Sequence, residues 1–201
     1  MSELPSLPPI SELNLQDYDT FKSSINILFE PSPPLAIILY NFRPFESYTS
    51  LISTATKKIF ENGSLTYKQK LEIINAHPRL GENKKNLSTM SLKEQGYSKT
   101  SSNELNEEVN KKTSNDLSEV VNKKLRELNE EYEQKYGFKF VVFVNGRTRE
   151  EIIPILEEKI KNGNKEDELN RGLEDMMKIA FDRLKKLNLE DMMNITFEEI
   201  K

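Results

Sequence analysis

The sequence predicts an all-α fold, a single-domain helical bundle carrying one buried extended segment at about 138–146. Three observations lead there. Apolar residues recur at three- and four-residue spacing along most of the chain. A hydroxyl residue followed three positions later by Gln or Glu, the signature of a helix start, stands at Thr66, Ser91 and Thr148. Only FKFVVFVNG, Phe138 to Gly146, has the Phe and Val content of a strand, and no other segment offers it a good partner. A length of 201 residues suits one core.

Residues 1–11 carry three prolines and read as a mobile arm, leaving 12–201 as the domain. Tyr18, Phe21, Ile25 and Leu28 then form a helical stripe that Pro31, Pro33 and Pro34 stop. Leu35 to Tyr40 is an apolar run that is either a buried helical turn or a strand. After Arg43-Pro44-Phe45, a helix places Tyr48, Ile52, Ala55 and Ile59 on one face and ends near Gly63. Thr66 and Gln69 cap the next, whose stripe is Tyr67, Leu71 and Ile74. It ends at His77, because Pro78 pushes the preceding residue out of helical dihedrals. Residues 98–116 are polar and read as a flexible insertion. Leu117, Val121, Leu125, Leu128, Tyr132 and Tyr136 form a long helix closed by Gly137. Thr148 and Glu151 open another, which Pro154 should kink. A last helix runs from about Asp167 to Leu187, and Met176, Met177, Met192 and Met193 read as packing.

Composition removes several classes of chemistry. With no Cys there is no thiolate site or Cys nucleophile, and one His excludes a two-His zinc motif. The seven glycines are too dispersed for a nucleotide-binding loop. A net charge of −4 and a pI near 5.4 argue against a nucleic-acid partner. No apolar run approaches the roughly 18–20 residues that cross a bilayer, so no membrane partner is expected. The N-terminus lacks a secretory pattern and the C-terminal EEIK is no Ser-Lys-Leu address, which makes the cytoplasm the expected location. Carboxylates, Arg, Lys, hydroxyls and one imidazole remain.

Three positions stand out. His77 is either a helix-terminal His bonded to the last carbonyls or a proton donor, since a helix C-terminus favours imidazolium. Glu94 is either half of a capping box with Ser91 or, with Gln95, part of a helix start that binds a small polar group and partners an imidazole. Arg183 falls inside the apolar arc of Leu169, Leu173, Met176, Ala180, Leu184 and Leu187, given a rotation of about 100° per residue. A buried Arg needs a partner, either an internal carboxylate or a substrate carboxylate or ureido group that fits its fork.

Several strings occur in an order that resembles a known family. They are Phe29-Glu30 with a following Ser-Pro, Arg43-Pro44-Phe45, His77-Pro78, Ser91-x-x-Glu94-Gln95, Leu128-Asn129-x-x-Tyr132, Tyr136-Gly137-Phe138-x-Phe140-Val141, Arg147-x-Arg149-Glu150-Glu151-Ile152 and Arg183-Leu184. From about Leu15 to Leu187 the chain is similar to the 2-oxo-4-hydroxy-4-carboxy-5-ureidoimidazoline (OHCU) decarboxylases. The resemblance implies an all-helical, cofactor-free homodimer that converts its small-molecule substrate to (S)-allantoin and CO₂, the last step from urate. It also leaves a peroxisomal location open. It implies His77 as catalytic proton donor and Glu94 as the second catalytic residue. Substrate contacts are implied at Pro78, Ser91, Leu92, Lys93, Glu94, Gln95, Phe140, Val141, Val142, Phe143, Val144 and Arg183. Two departures stand near these positions: Arg79 and Leu80-Gly81 replace an acidic residue followed by Leu-Ala-Gly, and the insertion after Gln95 is long. The alternatives are an inactive helical interaction module on the same fold and a ring-opening hydrolase acting on a related ureide.

Overall fold

The structure is a computed structural model that describes residues 6–82, 85, 87–95, 108–187 and 196–200, apart from the side chains of 89, 93 and 108–118. Every regular element among the described residues is a helix: α1 Ile10–Leu15, α2 Tyr18–Phe29, α3 Pro33–Asn41, α4 Tyr48–Phe60, α5 Tyr67–Ala76, α6 Thr89–Glu94, α7 Glu108–Tyr136, α8 Arg149–Asn162, α9 Lys165–Leu187 and α10 Phe197–Ile200. None is long and apolar enough to cross a membrane. The chain divides into two compact units. The first holds Met1–His77, Val141–Phe143 and Glu166–Lys201; the second holds Pro78–Phe140 and Val144–Lys165.

In the first unit α3 packs against α2, α4 and α5. The run Leu35 to Tyr40 is thus helical, and Leu35, Ala36 and Leu39 are fully buried. Pro33 and Pro34 start this helix rather than merely ending the previous one, because the first turn needs no backbone N–H from them. The stripe of α4 lies inside as its spacing predicts, and so do Phe21, Ile25 and Leu28 of α2, while Tyr18 is half-buried. On α5 the buried pair is Ile73 and Ile74, while Tyr67 is exposed. On α9, Met176 and Met177 are buried, whereas Met192 and Met193 lie outside the described residues. Gly172 lets α9 approach the end of α5, since a Cβ there would lie 2.5 Å from Ile74 Cδ1.

The expected N-terminal arm is anchored from Ser6 onward. Leu7 is buried, Tyr48 Oη donates to the Pro8 carbonyl at 2.6 Å, and α1 begins at Ile10. Residues 1–5 lie outside the described residues. Arg43 ties this region together. Its guanidinium donates to the carbonyls of Tyr40, Asn14 and Gln16 at 2.9, 3.0 and 2.6 Å, and it stacks 3.6 Å from the Tyr40 ring centroid. Asn14 and the backbone of Phe45 exchange two hydrogen bonds beside it.

In the second unit α7 and α8 pack on each other. Leu125, Leu128, Tyr132 and Tyr136 are buried on α7, and the rings of Tyr132, Tyr136, Phe138 and Phe140 form one cluster. Gly137 adopts φ +82°, the left-handed turn that ends the helix. One expectation is corrected here. The helix starts at Glu108, inside the stretch read as a flexible insertion, of which 98–107 lies outside the described residues. Once α7 is nucleated by its packed half, each added turn is cheap, so the extension needs no apolar stripe. Pro154 lies within α8, which continues past it, and its ring is exposed.

Within the expected extended segment, residues 139–144 belong to no helix or sheet among the described residues, and the segment ends in a turn at Asn145 (φ 47°) and Gly146 (φ 77°). Phe138, Phe140 and Val141 are buried, and Val142 to Val144 are half-buried.

Arg43→Ala is expected to lower the unfolding free energy by about 2–3 kcal/mol, the scale of charge-assisted hydrogen bonds plus a cation–π contact. Urea unfolding followed by circular dichroism checks this. A loss below about 0.5 kcal/mol, the ordinary surface value, would remove the anchoring role given to Arg43.

Candidate functional site

In the first unit, the imidazole and the guanidinium singled out by the sequence meet at a carboxylate that it did not single out. His77 caps the C-terminus of α5, its N–H donating to the Ile74 carbonyl, and it is 6% exposed. Its Nδ1 lies 3.4 Å from Glu30 Oε2. On the other side of the same carboxylate, Arg183 Nη2 lies 3.5 Å from Glu30 Oε1. Arg183 is fully buried, and its Nη1 also donates to the carbonyls of Ile27 and Leu28 at 3.3 and 3.2 Å. These carbonyls belong to the last turn of α2, where they lack helical partners and form the negative end of the helix dipole. Within the chain, the partners of Arg183 include the internal carboxylate and the α2 terminus.

The extended segment contributes here through Val141 to Phe143. The Phe143 N–H donates to Asp175 Oδ2 at 3.1 Å, so a side chain of α9 takes up one of the donors that the sequence left without a strand partner. Gly172, one turn earlier on α9, has the Val141 carbonyl 4.0 Å from the position its Cβ would occupy.

The second unit holds Ser91 to Gln95. Their local structure corrects the expected cap. Ser88, not Ser91, closes the start of α6: its Oγ accepts from the Ser91 N–H at 3.1 Å. Ser91 is buried one turn into the helix and accepts a 3.0 Å hydrogen bond from the Ser88 hydroxyl. Glu94 is therefore the last residue of α6, away from the helix start expected for it. The spacing Ser-x-x-Glu misled because Ser88-x-x-Ser91 lies one turn earlier and supplies the cap. Leu92 is half-buried, and the Lys93 side chain lies outside the described atoms.

Glu94 and Gln95 line an open concavity of about 400 Å³ with Leu80, Val144 and the Arg147–Glu150 segment. Gln95 is committed to the wall. Its Oε1 accepts from the Gly81 N–H at 2.9 Å and its Nε2 donates to the Arg79 carbonyl at 3.0 Å, which fixes the turn after Pro78. Gly81 holds φ +79° in that turn. The turn is also held by Asn129, which donates to the Leu80 carbonyl at 2.9 Å. Arg149 donates to the Gln95 carbonyl and to Asn122 Oδ1. Arg79, the basic departure beside His77-Pro78, makes a two-pronged pair with Glu133 at 2.5 and 2.6 Å. The hydrogen-bonded Glu133 carboxylate holds this guanidinium above even its ordinary range. Its charge is matched within the wall.

The structure thus gathers His77 and Arg183 around Glu30, and gathers Glu94, Gln95 and Val144 around the concavity. Phe140 and Val141 are buried, and Pro78 and Val142 are half-buried. Glu30, Asp175 and Arg149 were missed as site residues. Asp175 carried no sequence signal. Glu30 and Arg149 stood in matched strings, but nothing in their spacing showed what they touch.

The family model for OHCU decarboxylase matches residues 14–185. The chain belongs to the OHCU decarboxylase family. It is 30% identical over 178 residues to the uric acid degradation bifunctional protein of Bacillus sp. (strain TB-90), covering 89% of this chain and 32% of that protein. It therefore spans about a third of the length of this bifunctional relative. With the 2-oxo-4-hydroxy-4-carboxy-5-ureidoimidazoline decarboxylase of Haloferax volcanii it shares 27% identity over 175 residues, covering 87% of this chain and 93% of that one. In fold it is similar to a crystal structure of OHCU decarboxylase in the presence of (S)-allantoin, with a TM-score of 0.58 at 21% identity over 86% of this chain and 99% of that one. A crystal structure of (S)-allantoin synthase matches with a TM-score of 0.57 at 19% identity, over 90% and 54%.

Gln95→Ala should release the turn at 79–81. Amide hydrogen exchange at Gly81 is expected to quicken by about tenfold, the equivalent of one net hydrogen bond of about 1.4 kcal/mol. Unchanged protection at Gly81 would mean that Gln95 does not hold the turn.

Proposed function

We propose that this chain decarboxylates OHCU to (S)-allantoin and CO₂. The observation that carries the reading is the family match over 14–185, within which the single imidazole of the chain is buried against a carboxylate. The match to the Haloferax volcanii decarboxylase across most of both chains adds support. The further activity of the bifunctional Bacillus relative is not part of the proposal, since two thirds of that protein has no counterpart here.

The chemistry asks little of the protein beyond binding and proton delivery. Loss of the carboxylate as CO₂ leaves an electron pair on the ring, which the neighbouring imine and carbonyl of the substrate delocalise. No external electron sink is then needed, and the proposed reaction uses no cofactor. In this reading Glu94 binds the substrate hydroxyl, and His77 binds ring polar groups and then, as imidazolium, delivers its proton to one face. The backbone of Phe140 to Val144 stabilises developing negative charge and the pocket positions the ring, with further contacts from Pro78, Ser91 to Lys93 and Gln95. The orienting role for the substrate given to Arg183 is supplied through Glu30, because the guanidinium is fully buried and its fork faces internal acceptors. A homodimer is part of the proposal as the family's usual assembly.

Stereochemistry is the readout. A planar intermediate protonated in free solution has no preferred face, so the uncatalysed product is racemic. Freshly generated OHCU with the protein should develop the circular dichroism of (S)-allantoin, and His77→Asn should cut that rate by about 10²-fold or more, the scale of general acid–base catalysis. Racemic product in the presence of wild-type protein would sink the proposed activity. (S)-allantoin formed by His77→Asn at the wild-type rate would remove His77 from the mechanism.

A further inference from the structure

We infer that Glu30 is a positioning residue of this reaction, holding the His77 ring by Nδ1 while its other oxygen supplies the counter-charge of buried Arg183. The inference rests on the reading of His77 as proton donor and goes one residue deeper.

Three independent features point to the Glu30 side chain. The first is conformational. Glu30 is the C-cap of α2 at φ 50°, ψ 56°, in the left-handed region where Gly or Asn is accommodated most cheaply. A Glu kept there at a conformational cost marks a side chain that the site requires. The second is charge. Arg183 is completely buried, and the two α2 carbonyls it bonds are dipoles that cannot neutralise it; the Glu30 carboxylate at 3.5 Å can. The third is proximity. The remaining oxygen, Oε2, lies 3.4 Å from Nδ1 of His77, a close charge contact that falls short of hydrogen-bond geometry, and the Glu30 side chain is itself only 11% exposed. A carboxylate beside Nδ1 favours a hydrogen on that nitrogen, which leaves Nε2 as the atom that delivers a proton to substrate when the ring is doubly protonated. Glu30 touches neither substrate nor reacting atoms in this scheme, so its effect passes through His77.

The carboxylate also explains why a buried Arg serves a proton-transfer site. Arg183, itself bonded to the end of α2, pairs with one oxygen of Glu30, and the other oxygen of that carboxylate stands beside the imidazole. Ring orientation is thereby tied to the packing of α9 on the end of α2, through a side chain that cannot swing without stranding a buried guanidinium.

Two variants separate positioning from capping. Glu30→Asn suits the left-handed backbone better but is too short to bridge both partners. Glu30→Gln keeps the length and a neutral acceptor for Nδ1–H. Positioning predicts kcat in the order Glu, Gln, Asn, with losses on the order of tenfold for Gln and 10²-fold for Asn, within the range seen when a carboxylate behind a catalytic His is removed. KM should stay within about threefold, and the excess of (S)-allantoin should fall in Glu30→Asn as protonation loses its preferred face. A purely structural C-cap predicts the reverse ranking, with Asn equal to or better than wild type. A folded Glu30→Asn with wild-type kcat and stereochemistry overturns the inference; where Glu30→Asn does not fold, wild-type kcat in Glu30→Gln overturns it.

One further measurement needs no turnover. The chain has a single His, so the ¹⁵N spectrum of its imidazole reads one residue without assignment. The wild type should show the neutral ring hydrogenated at Nδ1, and Glu30→Asn should show both tautomers. An unchanged ring spectrum in that variant also overturns the inference. His77→Asn, assayed alongside, distinguishes the two levels. If it keeps full (S)-specific activity, the proton-donor reading fails and takes the Glu30 role with it. If it is inactive while both Glu30 variants match wild type, the positioning role alone falls.

Discussion

A charge buried without exposure has to be matched where it lies, and in the first unit that requirement falls on Arg183. Its acceptors are the terminal carbonyls of α2 and the carboxylate of Glu30, so the last turn of α2 and the middle of α9 must be in register to within a hydrogen bond. Breaking such a pair costs about 3–5 kcal/mol, a large part of the stability of an ordinary domain. Much of the surrounding packing serves this one constraint. Gly172 gives α9 its close approach to α5, and His77, at the end of α5, reaches the second oxygen of the same carboxylate. The His77 imidazole and the Arg183–Glu30 salt bridge thus share one carboxylate.

In the second unit the design is different. There polar and charged side chains are used to fix backbone. Gln95 and Asn129 hold the 79–81 turn, and Arg149 holds the end of α6. Arg79, which looked in the sequence like an intrusive charge beside His77-Pro78, is matched by Glu133 on α7. The departure from the family pattern therefore brings its own counter-ion, and Glu94 remains on the wall as a carboxylate of ordinary exposure.

How much of this could be read from sequence follows from which signals are periodic. The burial of Arg183 was legible, because helical rotation places position 183 among Leu173, Met176, Ala180 and Leu184 whatever it packs against. The helix end at His77 was legible from Pro78. The absence of a strand partner for Phe138 to Gly146 was legible too, though not the identity of Asp175 as acceptor for Phe143. Non-periodic contacts were not. Glu30 lies 153 positions from Arg183 in sequence, and nothing local distinguishes it from an exposed C-cap. The start of α7 was placed too late because residues 108–116 carry almost no large apolar residues to mark a helical stripe. The cap of α6 was placed one turn too late because two serines share the spacing. Sequence reasoning found the helices that bury a face and the cation that breaks a face, and missed the anion that answers it.

The central claim is that the substrate loses its carboxylate as CO₂ and is then protonated on one face. Substrate labelled with ¹³C in the carboxyl group tests it most directly, with labelled CO₂ and the optical activity of the product followed together. The account predicts that the label leaves as ¹³CO₂ at the rate at which (S)-allantoin appears, both accelerated equally by the protein. Label retained in a ring-opened product, or CO₂ released no faster than without the protein, would contradict it.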